Sequence, residues 1–283
     1  MFTITQYLPV LNADVRYCEL LNKHMLIINK FITNSDDIGL ADYFEELIQE
    51  LLIDKTVYTK MYNVDKFLML LNLRSICIGD ELKFNQSVGT VTVSVRLINI
   101  INNYNTPISN FTQSLSINNM YNLILNMPKT LYLSGFDSIM LQVIDKIVDD
   151  STTYHADTIN FKNEILKILP ANQTHKIIEY INTMSEQGEQ LHILKKVERS
   201  SIDSLSMNPY NNNMFIFIKN IFSEKLYSLY QFYFKMVNSL KFDSFSVNNQ
   251  TPAESSMYIS LFNEQMKTQN SENSNVPEIP PQL

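Results

Sequence analysis

The sequence has few glycines and few cysteines, and each shortage argues against a class of function. Five glycines among 283 residues leave no glycine-rich loop for a phosphate group, and no P-loop or G-x-G-x-x-G motif occurs. The two cysteines, Cys18 and Cys77, lie far apart and form no C-x-x-C pair, so a zinc ribbon is not supported. Their apolar surroundings predict buried free thiols in a reducing compartment.

Basic charge and long apolar runs are also scarce. The formal net charge is −7, and the basic cluster at 195–199 is too short to form a patch, which argues against nucleic acid as a partner. The longest apolar runs fall well short of the roughly 20 residues that cross a bilayer. The N-terminus lacks the basic region of a signal peptide. We therefore expect a soluble cytoplasmic protein without a membrane span.

Residues with catalytic or metal-binding potential form no recognisable motif. The four histidines show no H-E-x-x-H spacing, and no serine lies in G-x-S-x-G. Adjacent acidic residues, such as Glu45 and Glu46, point apart on a helix and are typical of solvated faces. The sequence thus predicts no catalytic residue, no cofactor and no metal ligand, although a hydrolase site formed only by folding stays open as an alternative.

The most apolar stretch is 64–81, VDKFLMLLNLRSICIGDE. Its crowded apolar positions, which include Leu68 and Leu71, predict a core helix. Asp65 is placed to accept hydrogen bonds from the first turn, and Gly79 is suited to the turn that ends the helix. Arg74 is the notable polar residue, because a buried arginine needs a carboxylate or several carbonyl oxygens. We interpret it as a core tether in preference to a binding residue.

The rest of the chain before residue 200 alternates between helical and strand periodicity. Strands are predicted within 1–20, at 82–84, at 91–95 and over 121–133, with 86–89 as a hairpin turn, and 102–119 is interpreted as a loop. Helices are predicted over 20–32, 40–54, 139–148, 161–169 and 174–184, with a polar linker at 149–160 and an extended segment at 187–197. The fold class is therefore α+β, predominantly α-helical, with a small strand-rich insert at about 82–133.

The C-terminal part is strongly helical. Apolar residues recur every three or four positions over 214–240, which predicts one continuous, long C-terminal helix. Further apolar residues, Phe217, Ile221, Tyr230 and Phe234, lie off that stripe, so the helix is either buried in its own domain or covered by a partner. A final helix opens at Thr251, Pro252 and Glu254.

Three regions follow from these patterns. We divide the chain into an α+β domain at 1–200 with its strand-rich insert, a helical region at 214–267 and a disordered tail at 268–283. The Ser- and Asn-rich segment 200–213 marks the boundary between the first two.

Two groups of residues, together with their order along the chain, carry a family resemblance. The first is the N-terminal motif Leu8, Pro9, Val10, Val15, Arg16 and Tyr17. The second is Asp65, Leu68, Leu71, Arg74, Ser75, Gly79 and Asp80, followed by the segment LILNMPKTLYL and the late Thr251, Pro252 and Glu254. In these features the chain resembles the T4-type bacteriophage baseplate hub and hub-assembly proteins. Some relatives carry C-x-x-C pairs in the insert; this chain has none, so no metal site is carried over.

The resemblance implies a non-enzymatic protein of viral tail assembly. Its expected role is to promote, like a chaperone, the assembly of the baseplate central hub, as a late protein in the cytoplasm of the infected host. The expected partners are other baseplate hub and tail proteins, and a homo-oligomer is left open. The main alternative is a structural hub component retained in the virion baseplate; the hydrolase is the weaker one.

Overall fold

In a computed structural model, the chain folds as the predicted predominantly helical α+β protein. The structure describes residues 2–85, 92–102, 104–108, 111–117, 121–149, 153–155, 169–189 and 208–273.

The N-terminus forms the expected strand pair. Strand β1 (Thr3–Leu8) pairs with β2 (Ala13–Cys18) in an antiparallel register that places Thr3 opposite Cys18. Because successive side chains in a strand point to opposite faces, Val15 and Tyr17 share the buried face. The hairpin thereby covers one side of the helical core.

Three helices build that core. They are α1 (Asn22–Thr33), α2 (Asp37–Leu51) and α3 (Asn63–Cys77), and a 3₁₀ turn at Lys55–Lys60 joins the last two. All residues of α3 from 63 to 73 are buried, the polar ones included, which confirms the predicted core helix. Its end is also confirmed, because Gly79 adopts φ +153° and its N–H bonds the carbonyl of Arg74 at 3.0 Å.

A hairpin and a separate four-stranded sheet follow. Strands β3 (Glu81–Asn85) and β4 (Thr92–Arg96) pair as predicted, although the expected turn at 86–89 lies outside the described residues. A short helix α4 (Leu97–Asn102) comes next. Antiparallel strands β5 (Gln113–Ile117), β6 (Tyr121–Leu125), β7 (Ile144–Asp149) and β8 (Thr153–His155) then form a sheet in that order, with helices α5 (Phe136–Val143) and α6 (Ala171–Glu189) nearby in sequence.

This second sheet corrects several sequence predictions. Strand β5 lies in the stretch interpreted as a loop, and β8 lies in the predicted linker. The helix predicted over 139–148 ends at Val143, and the chain continues as β7, because Ile147 finds a cross-strand partner in Leu123. A short apolar run satisfies both periodicities, so pairing decides between them.

Two further predictions fail beside the sheet. The strand predicted over 121–133 ends at Leu125. The backbone N–H groups of Leu131 and Leu133 donate to side-chain oxygens of Glu45 and Asn212, so they do not pair with a neighbouring strand. Helix α6 runs through Glu189, into the segment predicted as extended. The predicted helix at 161–169 lies almost wholly outside the described residues, as does most of the boundary at 200–213.

The sheet has a small core of its own. Leu123 and Leu125 of β6, Val143 at the end of α5 and Ile177 of α6 are fully buried together. The larger core combines the N-terminal hairpin, α1 to α4 and the first helix of the C-terminal part. The domain boundary at about 200 stays a prediction.

The described residues 208–273 contain four helices, and the first predicted helix of this part is broken. Helix α7 (Asn213–Phe222) and helix α8 (Leu226–Asn238) replace the one continuous helix predicted over 214–240. The break at 223–225 is stabilised by Asn29, whose amide donates to the carbonyl of Phe222 at 3.2 Å and whose oxygen accepts from the N–H of Glu224 at 2.7 Å. A side chain distant in sequence thus satisfies the backbone groups that the break exposes.

The last two helices are α9 (Ser244–Asn248) and the long C-terminal helix α10 (Pro252–Asn273). The predicted start of α10 is confirmed, because Thr251 and Glu254 form a reciprocal capping box: the N–H of Thr251 bonds Oε2 of Glu254 at 2.8 Å, and the N–H of Glu254 bonds Oγ1 of Thr251 at 3.2 Å. Helix continues through 268–273, where a disordered tail was expected, and 274–283 lie outside the described residues.

Candidate functional surface

Helix α3 is tied to the N-terminal hairpin by a buried carboxylate. The two oxygens of Asp65 accept hydrogen bonds from the backbone N–H groups of Val10 and Leu11, both at 3.0 Å. Burial raises the pKa of Asp65 to about 6, and these hydrogen bonds partly offset the increase. The sequence predicted a role within the first helical turn, so the structure assigns Asp65 a long-range contact that periodicity does not show.

A second buried charge on α3 is paired with α2. The ammonium of Lys66 lies 2.7 Å from Oε2 of Glu45 and above the ring of Tyr58. The hydroxyl of Tyr58 also donates to Oε2 of Glu45, at 2.8 Å, while Oε1 accepts from the N–H of Leu131 at 3.0 Å. Both oxygens of Glu45 are therefore occupied within the fold.

Arg74 closes the far end of α3. Its Nε donates to the carbonyl of Ile221 at 2.8 Å, and its Nη1 donates to the carbonyl of Gly79 at 2.6 Å. Carbonyls at a helix C-terminus lack intrahelical partners, so Arg74 satisfies one at the end of α7 and fixes the Gly79 turn. The predicted core tether is thus observed, with carbonyl oxygens as its acceptors.

Replacing Arg74 with methionine is expected to lower the free energy of unfolding by about 1–3 kcal/mol, because two charge-assisted hydrogen bonds are lost while the apolar stem is kept. Chemical denaturation of the two purified proteins measures this difference. An unchanged denaturation midpoint would show that the link between α3 and α7 contributes nothing.

The other candidate residues separate into two groups by burial. Leu68, Leu71, Phe217 and Ile221 are buried in the larger core, so they contact the chain itself. Thr251 and Glu254 form the helix cap described above, with Pro252 in the first position of α10. Tyr230 and Phe234 are exposed and alone among the candidates offer aromatic surface to a partner.

Tyr230 and Phe234 belong to a larger exposed surface. Tyr227 lies three residues before Tyr230, so the three aromatic side chains share the outer face of α8; Tyr227 is 72% and Phe234 is 67% exposed. Further exposed apolar side chains follow on α9 and α10. We define the C-terminal apolar surface by Tyr227, Tyr230, Phe234, Phe245, Met257 and Leu261.

Sequence reasoning missed four members of this surface. The spacing of Tyr227 relative to Tyr230 and Phe234 was a usable signal, whereas Phe245, Met257 and Leu261 follow ordinary helical patterns that fit burial equally well. Single exposed apolar residues are common on proteins, but several on adjacent helices indicate an interaction site.

The remaining histidine and cysteine side chains that the sequence offers for chemistry are held by packing contacts or stay free. His24 is buried; its Nδ1 accepts from the N–H of Leu21 at 3.1 Å, and burial lowers its pKa. Cys18 and Cys77 are both free thiols and Cys77 is buried, but Cys18, the last residue of β2, is only half-buried, so its predicted burial is wrong. Within the described ranges, histidine, cysteine and carboxylate side chains form no cluster that could hold a metal ion. No helix among those residues is long and apolar enough to cross a membrane.

Comparison with known families gives one match. A family model described as T4 bacteriophage base plate protein covers residues 1–199, which include the hairpin, α1 to α6 and the second sheet. Searches of curated proteins and of solved structures return no match. The match spans well over half of the chain and confirms the resemblance that the N-terminal and α3 motifs indicate: the chain belongs to the T4 bacteriophage base plate protein family.

Proposed function

We propose that this protein promotes assembly of the baseplate central hub without enzymatic chemistry, by binding another hub or tail protein through its C-terminal apolar surface. The observation that supports this role is the exposed aromatic face of α8, Tyr227, Tyr230 and Phe234, together with exposed apolar residues on α9 and α10. Aromatic side chains are the residues that most often dominate protein interfaces. The surface lies beyond the segment 1–199 that the family model covers.

The difference in burial between helix α7 and helix α8 supports the proposal. Helix α7 is buried against α3 and completes the larger core. It therefore anchors the C-terminal helices on residues 1–199, the part of the chain that the family model covers. Helix α8 follows after the break at 223–225, and Met236 is its one buried residue. A rigid scaffold that displays apolar surface can cover a hub subunit, or hold it in a competent shape, in the cytoplasm of the infected host.

The second candidate function is that of a structural hub component retained in the virion baseplate. In that role the same surface would stay bound to its partner in the finished particle. Mass spectrometry of purified particles separates the two roles. The protein's absence from particles is expected for an assembly factor, whereas stoichiometric presence supports the structural role.

The hydrolase alternative has less support. The groove beside α2 contains two carboxylates, Asp42 and Glu45, but both oxygens of Glu45 are engaged by Lys66, Tyr58 and Leu131. Using Glu45 as an acid or base would disrupt these contacts.

Replacing both Tyr230 and Phe234 with serine is expected to weaken binding to the hub partner by roughly 10- to 100-fold, because hot-spot aromatics commonly contribute 2 kcal/mol or more. Binding is measured with each purified hub and tail protein of the same phage, by pull-down followed by titration of those that bind. Since both side chains are exposed, the unfolding midpoint should be nearly unchanged.

Phe2→Ser provides the matched control. Phe2 is also an exposed aromatic residue, at 72%, but it lies at the start of the N-terminal hairpin. Normal binding by this variant and weak binding by the double variant would locate the interface on α8. Equal binding by all three proteins would reject the proposed surface.

A further inference from the structure

The two edges of the N-terminal hairpin differ in their hydrogen bonding. On the β2 edge, Tyr17 forms a bridge with Leu52, and the N–H of Ile53 donates to the carbonyl of Arg16 at 3.1 Å. On the β1 edge, no described residue outside the hairpin forms a hydrogen bond with the backbone of Thr3–Leu8. The chain thus closes one edge of the hairpin and leaves the other open.

The contact of Arg16 with Ile53 also shows which residues of β1 face the open edge. Backbone groups in an antiparallel pair point alternately toward and away from the partner strand. Because the carbonyl of Arg16 points away from β1, the pair that Arg16 forms with Thr5 in the register is not hydrogen-bonded. The N–H and C=O groups of Thr5 therefore point to the open edge. The same holds for Thr3 and Tyr7, which lie two residues away on either side.

Strand β1 also lacks the features by which edge strands usually avoid pairing. Its sequence, TITQYL, contains no charged residue and no proline, and its six residues keep one unbroken register with β2. Charges, prolines and bulges are the common protections of an edge. The side chains of Thr3 and Thr5 are exposed, and Gln6 fixes the strand on α3 by donating to the carbonyl of Leu68 at 3.2 Å. The open edge is therefore accessible and already ordered for pairing.

The open edge is complementary to itself. If two β1 strands meet antiparallel with Thr5 opposite Thr5 of the second copy, Thr3 lies opposite Tyr7, and the outward backbone groups of all three residues form hydrogen-bonded pairs. A twofold axis brings identical groups together, so a charge on this edge would meet its own copy, and β1 carries none. Threonine pairs and aromatic–β-branched pairs are favourable across antiparallel strands. A strand of another protein would have to match this register and lack charge independently, whereas a second copy does so by symmetry.

We propose that the protein forms a twofold-symmetric homodimer in which β1 of each copy pairs antiparallel with β1 of the other, with Thr5 at the axis. The two hairpins then form one continuous four-stranded sheet. This inference goes beyond the proposed function, because the C-terminal apolar surface on α8 to α10 takes no part in the pairing. One strand pair is small compared with the roughly 800 Å² per partner of a standard interface, so we expect a dimer that dissociates reversibly at micromolar concentration.

Hydrogen exchange of individual amides, followed by NMR on the full chain, tests the pairing directly. The N–H groups of Gln6 and Leu8 bond to β2, so their exchange should be slow at every protein concentration. Those of Thr3, Thr5 and Tyr7 should exchange fast in dilute solution and roughly tenfold or more slowly once the dimer prevails, because only the monomer exposes them. This alternation along one strand distinguishes β1 pairing from association through any other surface.

Substitutions at the axis test the symmetry, with dissociation constants measured by sedimentation equilibrium. Thr5→Lys places two ammonium groups on residues whose Cα atoms are about 5.5 Å apart, and it should weaken dimerisation roughly tenfold, since like charges directly opposite are unfavourable. Thr5→Glu should have the same effect. An equimolar mixture of the two variants should recover the dimer, because each lysine then meets a glutamate. Thr59→Lys, the same change at another exposed threonine, is the matched control and should dimerise normally.

Several outcomes would overturn the inference. These are a protein that stays monomeric into the high micromolar range, amide exchange at the open edge that does not depend on concentration, and a dimer that Thr5→Lys weakens no more than Thr59→Lys does. If replacing Tyr230 and Phe234 with serine abolishes the dimer and Thr5→Lys does not, the second copy lies on the C-terminal apolar surface and β1 pairing is rejected. The exchange measurement needs no variant, so it decides the question even if Thr5→Lys does not fold. Because no hub protein is present, failure here is distinguishable from failure of the α8 surface in the pull-down.

Discussion

Replacing Glu45 with alanine is expected to lower the free energy of unfolding by about 3–5 kcal/mol, the range for breaking a buried ion pair from one side. Lys66 is 3% exposed, and its ammonium loses the carboxylate that lies 2.7 Å away. The Tyr58 hydroxyl and the Leu131 N–H lose their acceptor as well. Chemical denaturation of the variant and the wild-type protein measures the difference.

The pH dependence of this variant provides a second measurement. Burial lowers the pKa of Lys66 in the folded protein, and Glu45 counteracts that effect, so its removal lowers the pKa further. The unfolded chain then binds more protons than the folded chain between the folded and unfolded pKa values. Stability of Glu45→Ala should therefore rise with pH across that interval.

Adding Lys66→Met to Glu45→Ala is the control. The double variant has no buried ammonium left without a partner, so it should be more stable than Glu45→Ala and lose the pH dependence. If the double variant is less stable than Glu45→Ala, the ammonium is not the source of the cost. The result would then point to the hydrogen bonds of Tyr58 and Leu131.

Local patterns in the sequence predicted the elements that form the larger core. The hairpin, α1, α2, α3 and the start of α10 all follow from alternation, helical spacing or a capping box within a few residues. Such signals are local, and the physical forces behind them act between neighbours in sequence. The burial of α3 followed from its apolar side chains alone.

The contacts of the polar residues could not be predicted in the same way. Asp65 binds a turn 54 and 55 positions earlier, Leu131 donates to a carboxylate 86 positions earlier, and Asn29 stabilises a helix break 193 positions later. Each partner is brought close by the tertiary fold. Periodicity shows that a polar residue lies on a buried helix, but it does not show what satisfies that residue.

The prediction missed strands β5 and β8 of the second sheet for a different reason. They have five and three residues, so the alternation of exposed Ser114 and Ser116 around buried Leu115 extends over too few residues to separate a strand from a loop. Strand pairing determines the structure of such short stretches. The apolar run at 139–148 carried a strong signal that was compatible with both helix and strand.

An apolar pattern on two faces of a helix does not show which residues the fold buries and which it exposes. The stretch 214–240 predicted burial or a partner, and the structure buries its first part and exposes its second part. Helix α7 places Phe217 and Ile221 in the core, whereas α8 exposes Tyr230 and Phe234. The break at 223–225 separates the two environments, so one sequence pattern serves both stability and the proposed interaction.

That separation predicts opposite consequences for two phenylalanines in adjacent helices. Phe222 is completely buried, and its ring centroid lies 5.7 Å from that of Phe44. Replacing it with alanine is expected to lower the free energy of unfolding by about 3–5 kcal/mol through lost burial and a residual cavity. Phe234→Ala should change the same quantity by less than about 0.5 kcal/mol, because the ring is 67% exposed.

Binding to a hub partner should respond in the reverse order. Phe234→Ala is expected to weaken binding, while Phe222→Ala, measured under conditions where it is folded, should bind normally, because its ring contacts no solvent or partner. Thermal unfolding and titration of the same two preparations measure both effects. Equal destabilisation by the two changes would mean that α8 is covered by the chain itself, and the proposed interface would then have to lie elsewhere.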